Sequence, residues 1–288
     1  MIRRENQAMP NVTRALALSS LALLLTACPS TPQTVQTANS SGSQPLAPPP
    51  PPPVALVRVI HASPEQFAQT VAAYTDNGQV PVIPELHFGA AEGYLPVPAG
   101  VHTVQARVPG MPPTGPAPVN WTTPDMQSGH IYTIIAHGLV SDLSGPQLTF
   151  ANEEDEPARP TPGRTRLRFF HALVGGGMVD VCLNGATPAF TGAQYGAFAN
   201  AAGVPGHYAA SQPGAVTVTF RGAAPTNPCT GRIVGSVPLQ LVDGVSVLLV
   251  ATGRIARGPG AVAPQVLLCP DTAPQAASCT PIPVTPGR

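Results

Sequence analysis

Four blocks of this sequence occur twice in the same order, and that duplication constrains the fold more than any single motif. VRVIHA, Val57 to Ala62, returns as LRFFHA, Leu167 to Ala172, each with arginine in second place and histidine near the end. TVAAYTDNG, ending at Gly78, returns as MVDVCLNG, ending at Gly185. YLPVPAGVHTVQARV, Tyr94 to Val108, parallels YAASQPGAVTVTFRG, Tyr208 to Gly222. GHIYTIIAHG, Gly129 to Gly138, parallels GVSVLLVATG, Gly244 to Gly253. The offset between copies drifts only from 107 residues (Gly78 to Gly185) to 115 (Gly129 to Gly244). Such self-similarity means two copies of one unit of about 100 residues.

The blocks read as strands. Thr–Val alternation after Gly100 and Gly214 has period two, the mark of a strand with one buried face. The runs between glycines at 129–138 and 244–253 are continuously apolar, as expected for central strands. Asn77-Gly78 and Asn184-Gly185 are hairpin signals, because both central positions of a type I′ turn need positive φ. With 28 glycines and 38 prolines, turns and short strands are favoured over long helices. The expected fold is all-β, with two tandem antiparallel Ig-like β-sandwiches. They are placed at 54–150 and 164–288. A linker at 151–163 carries the charge run Glu153-Glu154-Asp155-Glu156 beside prolines.

Residues 1–27 have the layout of a secretory signal: Arg3, Arg4 and Arg14, then an apolar run from Ala15 to Ala27. That run is shorter than the ~20 residues a transmembrane helix needs. Leu25-Thr26-Ala27-Cys28 resembles a bacterial lipobox. The resemblance implies cleavage before Cys28 and its lipidation with several acyl chains, palmitate among them. One chain alone would anchor only marginally. Residues 28–53 are polar and close on six prolines, Pro48 to Pro53. Such a segment cannot offset its ordering entropy and is expected to act as a disordered, semi-rigid tether.

The order VRVIHASP, a strand ending in Asx-Gly, YLPVPAGVHTVQ and GHIYTIIAHG resembles a DUF4397-domain protein. The resemblance extends over both repeats, Val54 to Phe150 and Arg164 to Thr280, and departs at HALVGGGM in the second. It implies a β-rich extracytoplasmic module and no particular activity.

Cys182, Cys229, Cys269 and Cys279 all fall in the second repeat. An even number in an exported chain argues for disulfides, with Cys182–Cys229 and Cys269–Cys279 favoured among three pairings. Close CxxC spacing, which a zinc site would show, is missing. The basic residues are 14 arginines with no lysine, balanced by 14 acids, so no basic excess suggests nucleic acid. A Walker lysine is impossible, and neither a nucleophile elbow nor HExxH occurs. Gly175-Gly176-Gly177 lacks dinucleotide-site spacing and reads as a turn. Asp76, Asn77 and Asp180 could offer calcium oxygens but do not gather at EF-hand spacing. His61 and His171 sit at equivalent strand ends, as ligands at a loop edge or as repeated structural groups. His130 and His137 are seven apart and point to opposite faces of a strand. Trp121 is the only tryptophan, either an exposed contact or a core residue.

These readings favour a non-enzymatic envelope protein, anchored by lipid at Cys28, with no metal and no cofactor. Its expected partners are the membrane, through the lipid, and envelope polymers or surface proteins. Pro29 rather than Asp after Cys28 favours the outer over the inner membrane. The alternative is a metal-dependent hydrolase or small-ligand binder on the sandwich loops, which needs His61 or His171 to converge with acids.

Overall fold

In the computed structural model every duplicated block carries a strand, and the described residues contain no helix. The structure describes residues 51–287 apart from 66–68, 112–116, 118, 141–144, 225, 256–260 and 273–277. The signal, Cys28 and the tether up to Pro50 lie outside the described residues. Pro50–Arg288 form one compact unit.

The first half holds β1 (Val54–His61), β2 (Thr70–Thr75), β3 (Ile83–His87), β4 (Ala91–Pro98), β5 (Thr103–Arg107), β6 (Val119–Thr122), β7 (Ile131–His137) and β8 (Thr149–Glu154). The second holds β9 (Thr165–His171), β10 (Val179–Leu183), β11 (Thr187–Ala193), β12 (Ala209–Ser211), β13 (Gly214–Gly222), β14 (Ile233–Leu241), β15 (Ser246–Thr252), β16 (Gln265–Pro270), β17 (Thr280–Pro283) and β18 (Thr285–Pro286). Sheets β4-β1-β7-β8 and β3-β2-β5-β6 make the first sandwich. Sheets β12-β9-β15-β16-β17 and β11-β10-β13-β14-β18 make the second. Shifted by eight, the orders coincide, and β17 and β18 each add an edge. Each sandwich also contains one parallel pair, β1 with β7 and β9 with β15, so the purely antiparallel expectation is corrected there. The first strand leaves and the seventh returns beside it in the same direction.

The equivalence holds residue by residue at the β2–β3 and β10–β11 turns, where they meet β5 and β13. The Asp76 amide donates to the Thr103 carbonyl, and the Asn184 amide to that of Thr217, both at 2.8 Å. The Thr103 and Thr217 amides return bonds to the Asp76 and Asn184 side-chain oxygens at 2.9 and 3.0 Å. In the second copy the central turn pair is Asn184–Gly185, as expected, at φ 50° and 81°. In the first it is Asp76–Asn77, at 52° and 57°, one residue earlier than Asn77–Gly78. Asp and Asn tolerate the left-handed region, and the Asp76 carboxylate is held there by the Thr103 amide.

Alternation along β1 sends Ala55 and Val57 into the first sandwich's own core, with Tyr132 and Ile134. Ile60 and Ala62 point the other way, into a cluster with Phe170, Ala172, Leu248, Val250 and Leu267 of the second half. The sheets containing β1 and β9 therefore pack face to face, and their central strands are buried on both sides. Double burial removes the polar alternation of a half-buried strand, which accounts for the continuous apolar runs of β7 and β15. Gly138 and Gly253, which close those runs, stand at φ 100° and 105°. A Cβ at either would collide with the backbone of Gln147 or Ala263.

The charge run expected in the linker belongs to the fold instead. β8 continues to Glu154, so the linker starts later than residue 151. Each of the four acids meets a different basic side chain: Glu153 with His207, Glu154 with His130, Asp155 with Arg168, and Glu156 with Arg166.

Candidate functional site

Two polar or hollow features stand out against this apolar stack, and the first is the charge cluster between the sandwiches. Arg58 and Arg168, the repeated second-place arginines, are both fully buried. Strand alternation places them on the same faces as Ile60 and Phe170, aimed at the seam. Arg58 donates to Asp271 Oδ1 at 2.6 Å, to the Pro270 carbonyl at 2.5 Å and to Thr133 Oγ1 at 2.7 Å. Arg168 lies 2.7 Å from Asp155 Oδ1 and donates to Asp271 Oδ1 at 2.9 Å. Tyr94 donates its hydroxyl to Asp155 at 2.8 Å, and Thr133 donates to the same carboxylate at 2.7 Å. Two arginines and two aspartates thus cancel in charge around an approximate twofold axis. The symmetry breaks at Thr133, whose register partner is Arg58; the partner of Arg168 is Leu248. Arg168 Nε and Nη1 accordingly have no hydrogen-bond acceptor among the described residues. Fully buried on all sides, this cluster is a structural clasp. The sequence signal for it was an arginine repeated inside a run apolar on both faces, which demands acids at the seam.

The other singled-out residues are held by the scaffold. His171 Nδ1 accepts the Leu173 amide at 3.3 Å and Nε2 donates to the Gly177 carbonyl at 3.0 Å, so the Gly175–Gly177 turn folds back over it. Burial lowers the pKa of His171. His61 occupies the matching place, buried, with its Nδ1 accepting the Ser63 amide at 3.4 Å. Strand alternation turns both imidazoles towards their own sandwich cores. Asp180 accepts the amides of Gly192, Ala224 and Cys229, tying β11 and the connection from β13 to β14 to β10. Asn77 Oδ1 accepts from Gln105 at 3.0 Å. Among the described residues no three His, Cys, Asp or Glu side chains gather as a metal site. Both favoured disulfides are present, Cys182–Cys229 and Cys269–Cys279. His130 bonds Glu154 at 2.8 Å outside β7, whereas His137 is buried at the seam beside Tyr195 and Phe170. Trp121 is half-buried and packs on Phe150, with ring centroids 5.3 Å apart.

The second feature is a cavity of about 290 Å³ between the sheets of the first sandwich. Val57, Val59, Ile83, Leu95, Val104 and Ile134 line it, and Pro96 and Pro98 stand at its edge-strand side. Its polar lining is Thr75, Thr123 and His102, the imidazole buried beneath Asp76. His102 Nδ1 lies 2.6 Å from Asp76 Oδ2, and Nε2 lies 2.7 Å from the Pro98 carbonyl. Both neighbours are acceptors, so both ring nitrogens carry protons. Burial opposes that charge, but the Asp76 and Pro98 hydrogen bonds and the Asp76 charge outweigh it and raise the pKa of His102. The imidazolium is neutralised by Asp76 and has no donor left over.

Residues 55–182 match the family model described as a domain of unknown function, DUF4397. A DUF4397 domain is thus found at residues 55–182. It takes in the first sandwich from the second residue of β1, runs through β9 and ends within β10. No curated protein matches the chain.

The cavity therefore lies inside the DUF4397 match, and the second sandwich shows how the same place is filled. Register pairing makes Val59, Ile83 and Ala106 equivalent to Phe169, Phe190 and Phe220. The three phenylalanines pack together, Phe169 lying 5.9 Å from Phe190 and 5.7 Å from Phe220. The second difference is a plug. Residues 194–208 join β11 to β12 and bury Ala199 and Ala201 in the core of the second sandwich. The corresponding connection from β3 to β4 is residues 88–90. Without trio or plug, Val59, Leu95, Val97, Val104 and Phe150 remain only half-buried. The counterparts of Val59, Val104 and Phe150, which are Phe169, Val218 and Val266, are fully buried. A separate cavity of about 270 Å³ in the second sandwich lies beyond the trio, lined by His171, Phe220, Val234, Pro264 and Val284. Neither the small side chains of the first repeat nor the missing plug was read from the sequence. Aligning the two copies position by position would have exposed both.

Proposed function

We propose that this chain is a lipid-anchored protein of the bacterial cell envelope, held by an acylated Cys28 and presenting two DUF4397-type sandwiches. In this reading it acts by binding or structural contact rather than by catalysis. The observation that carries it is the pair of disulfides in a chain that opens on a signal-like segment. Stable disulfides belong to oxidising, extracytoplasmic compartments. The lipobox-like LTAC and the proline tether add the means of attachment and the reach. Identical strand order supports the second sandwich as a diverged second copy of the domain. The outer membrane is favoured, since Pro29 follows the cysteine. Its partners would be envelope polymers or surface proteins.

The test is fractionation of the envelope with Cys28→Ser. The variant should leave the membrane fraction as a folded, disulfide-bonded body, while the parent partitions with outer-membrane markers. Retention of Cys28→Ser in the membrane would overturn the anchor.

A further inference from the structure

We infer that the cavity of the first sandwich is a binding site for a small, uncharged apolar molecule about the size of a two-ring hydrocarbon. The inference does not rest on lipid attachment or on localisation. It stands on two independent differences between equivalent sandwiches. One is the replacement of a packed phenylalanine trio by Val59, Ile83 and Ala106. The other is the short connection 88–90 where the second sandwich carries the plug 194–208. Either alone would loosen a core; together they leave a hollow open at the edge strands β3 and β4.

Size and chemistry define the ligand. An apolar cavity of roughly 150 Å³ stays dry and takes up benzene. This one, at about 290 Å³, offers about twice that space. Its walls are mostly valine, leucine, isoleucine and proline, with Thr75, Thr123 and His102 as the polar exceptions, so a ligand gains by removing apolar surface from water. Half-buried Val59, Leu95 and Val104 are side chains that a ligand would finish burying. An anionic head group finds no partner at the mouth. Both His102 nitrogens already donate to Asp76 and to Pro98, and the Asp76 charge lies beside them. Pro96 and Pro98 on β4 offer no amide donors, and they also keep that open edge from pairing with another strand.

The test uses the full chain, freed of detergent, with naphthalene and naphthalene-2-sulfonate as probes. Methyl NMR should show naphthalene shifting Val57, Val59, Ile83 and Ile134 resonances saturably, and Trp121 emission should change with the same midpoint through Phe150. The sulfonate should bind at least tenfold more weakly. Val59→Phe, which copies Phe169, should fill the hollow, weaken naphthalene binding at least tenfold and leave the melting temperature unchanged or higher. Ile83→Phe, which copies Phe190 on a side chain that also lines the hollow, is the second variant and should act in the same direction. Unsaturable shifts, tighter binding of the sulfonate, or unchanged binding in both folded phenylalanine variants would overturn the proposal. The last result would place the probe elsewhere, as in the second sandwich's own cavity.

Discussion

A single histidine at the seam shows how burial becomes pH dependence. Burial pushes His137 down to about 4, while an unfolded chain titrates near ~6.5. The folded pKa is the lower one, so the unfolded state binds more protons in between. Stability is full above about pH 6.5 and is lost as pH falls towards 4. Two and a half pKa units correspond to about 3 kcal/mol at ~1.36 kcal/mol per unit. His171 is shifted in the same direction, again by burial. His102 is shifted upward, so its contribution is present at low pH and is lost as pH rises through its folded value. His137→Leu should therefore flatten the acid side of the profile. Denaturant titrations of parent and variant at pH 7 and pH 4 should differ by about 3 kcal/mol in how much stability is lost. An identical acid loss would show that His137 is not the responsible group.

At the scale of elements, the disulfides and the repeat make the sharpest contrast between what was legible and what was not. Cys182–Cys229 closes 47 residues and Cys269–Cys279 closes 10. The first ties a loop to the outer face of β10; the second fastens the start of β17 to the end of β16. Chain-entropy arithmetic gives about 4 and about 3 kcal/mol respectively. Replacing both cysteines of a pair with serine should lower unfolding free energy by those amounts, the longer loop costing more. Equal midpoints for parent and both double variants would refute this ranking. The pairing could be read beforehand because four cysteines at fixed places in one repeat leave few options. The strand blocks could be read because period two and paired glycines are local signals. The face-to-face packing of the halves was harder to see. The run of β7 looks the same whether one or two layers cover it, and only Arg58 within such a run hinted at a second layer. The role of Asp155 was hidden by its acidic neighbours, whose partners His207, His130 and Arg166 come from elsewhere in the fold. The hollow was hidden for another reason. Val59 and Ala106 are ordinary strand residues, and their smallness means something only beside Phe169 and Phe220.

For the molecule as a whole, the seam decides whether two sandwiches behave as one body. Ile60 and Ile135 share a core with Phe170, Leu248 and Leu267, and the charge clasp sits within it. A seam of this kind couples the unfolding of both halves, so calorimetry should record one transition whose van't Hoff and calorimetric enthalpies agree. The clasp itself has a sign that can be tested. Four buried charges that cancel are tolerable, but three are not, because two carboxylates then share Arg168 alone and a net negative charge stays buried. Arg58→Met should cost about 3–5 kcal/mol. Adding Asp271→Leu to that variant removes the excess negative charge and leaves Arg168 paired with Asp155 alone. The double variant should therefore be more stable than Arg58→Met alone, although it has lost one more polar contact. Urea titrations of the parent, the single and the double variant decide the point. A double variant weaker than the single would mean that Asp271 contributes through groups other than Arg58, for which Arg168, 2.9 Å away, is the candidate. Arg168→Met would then have to be the costlier of the two arginine substitutions.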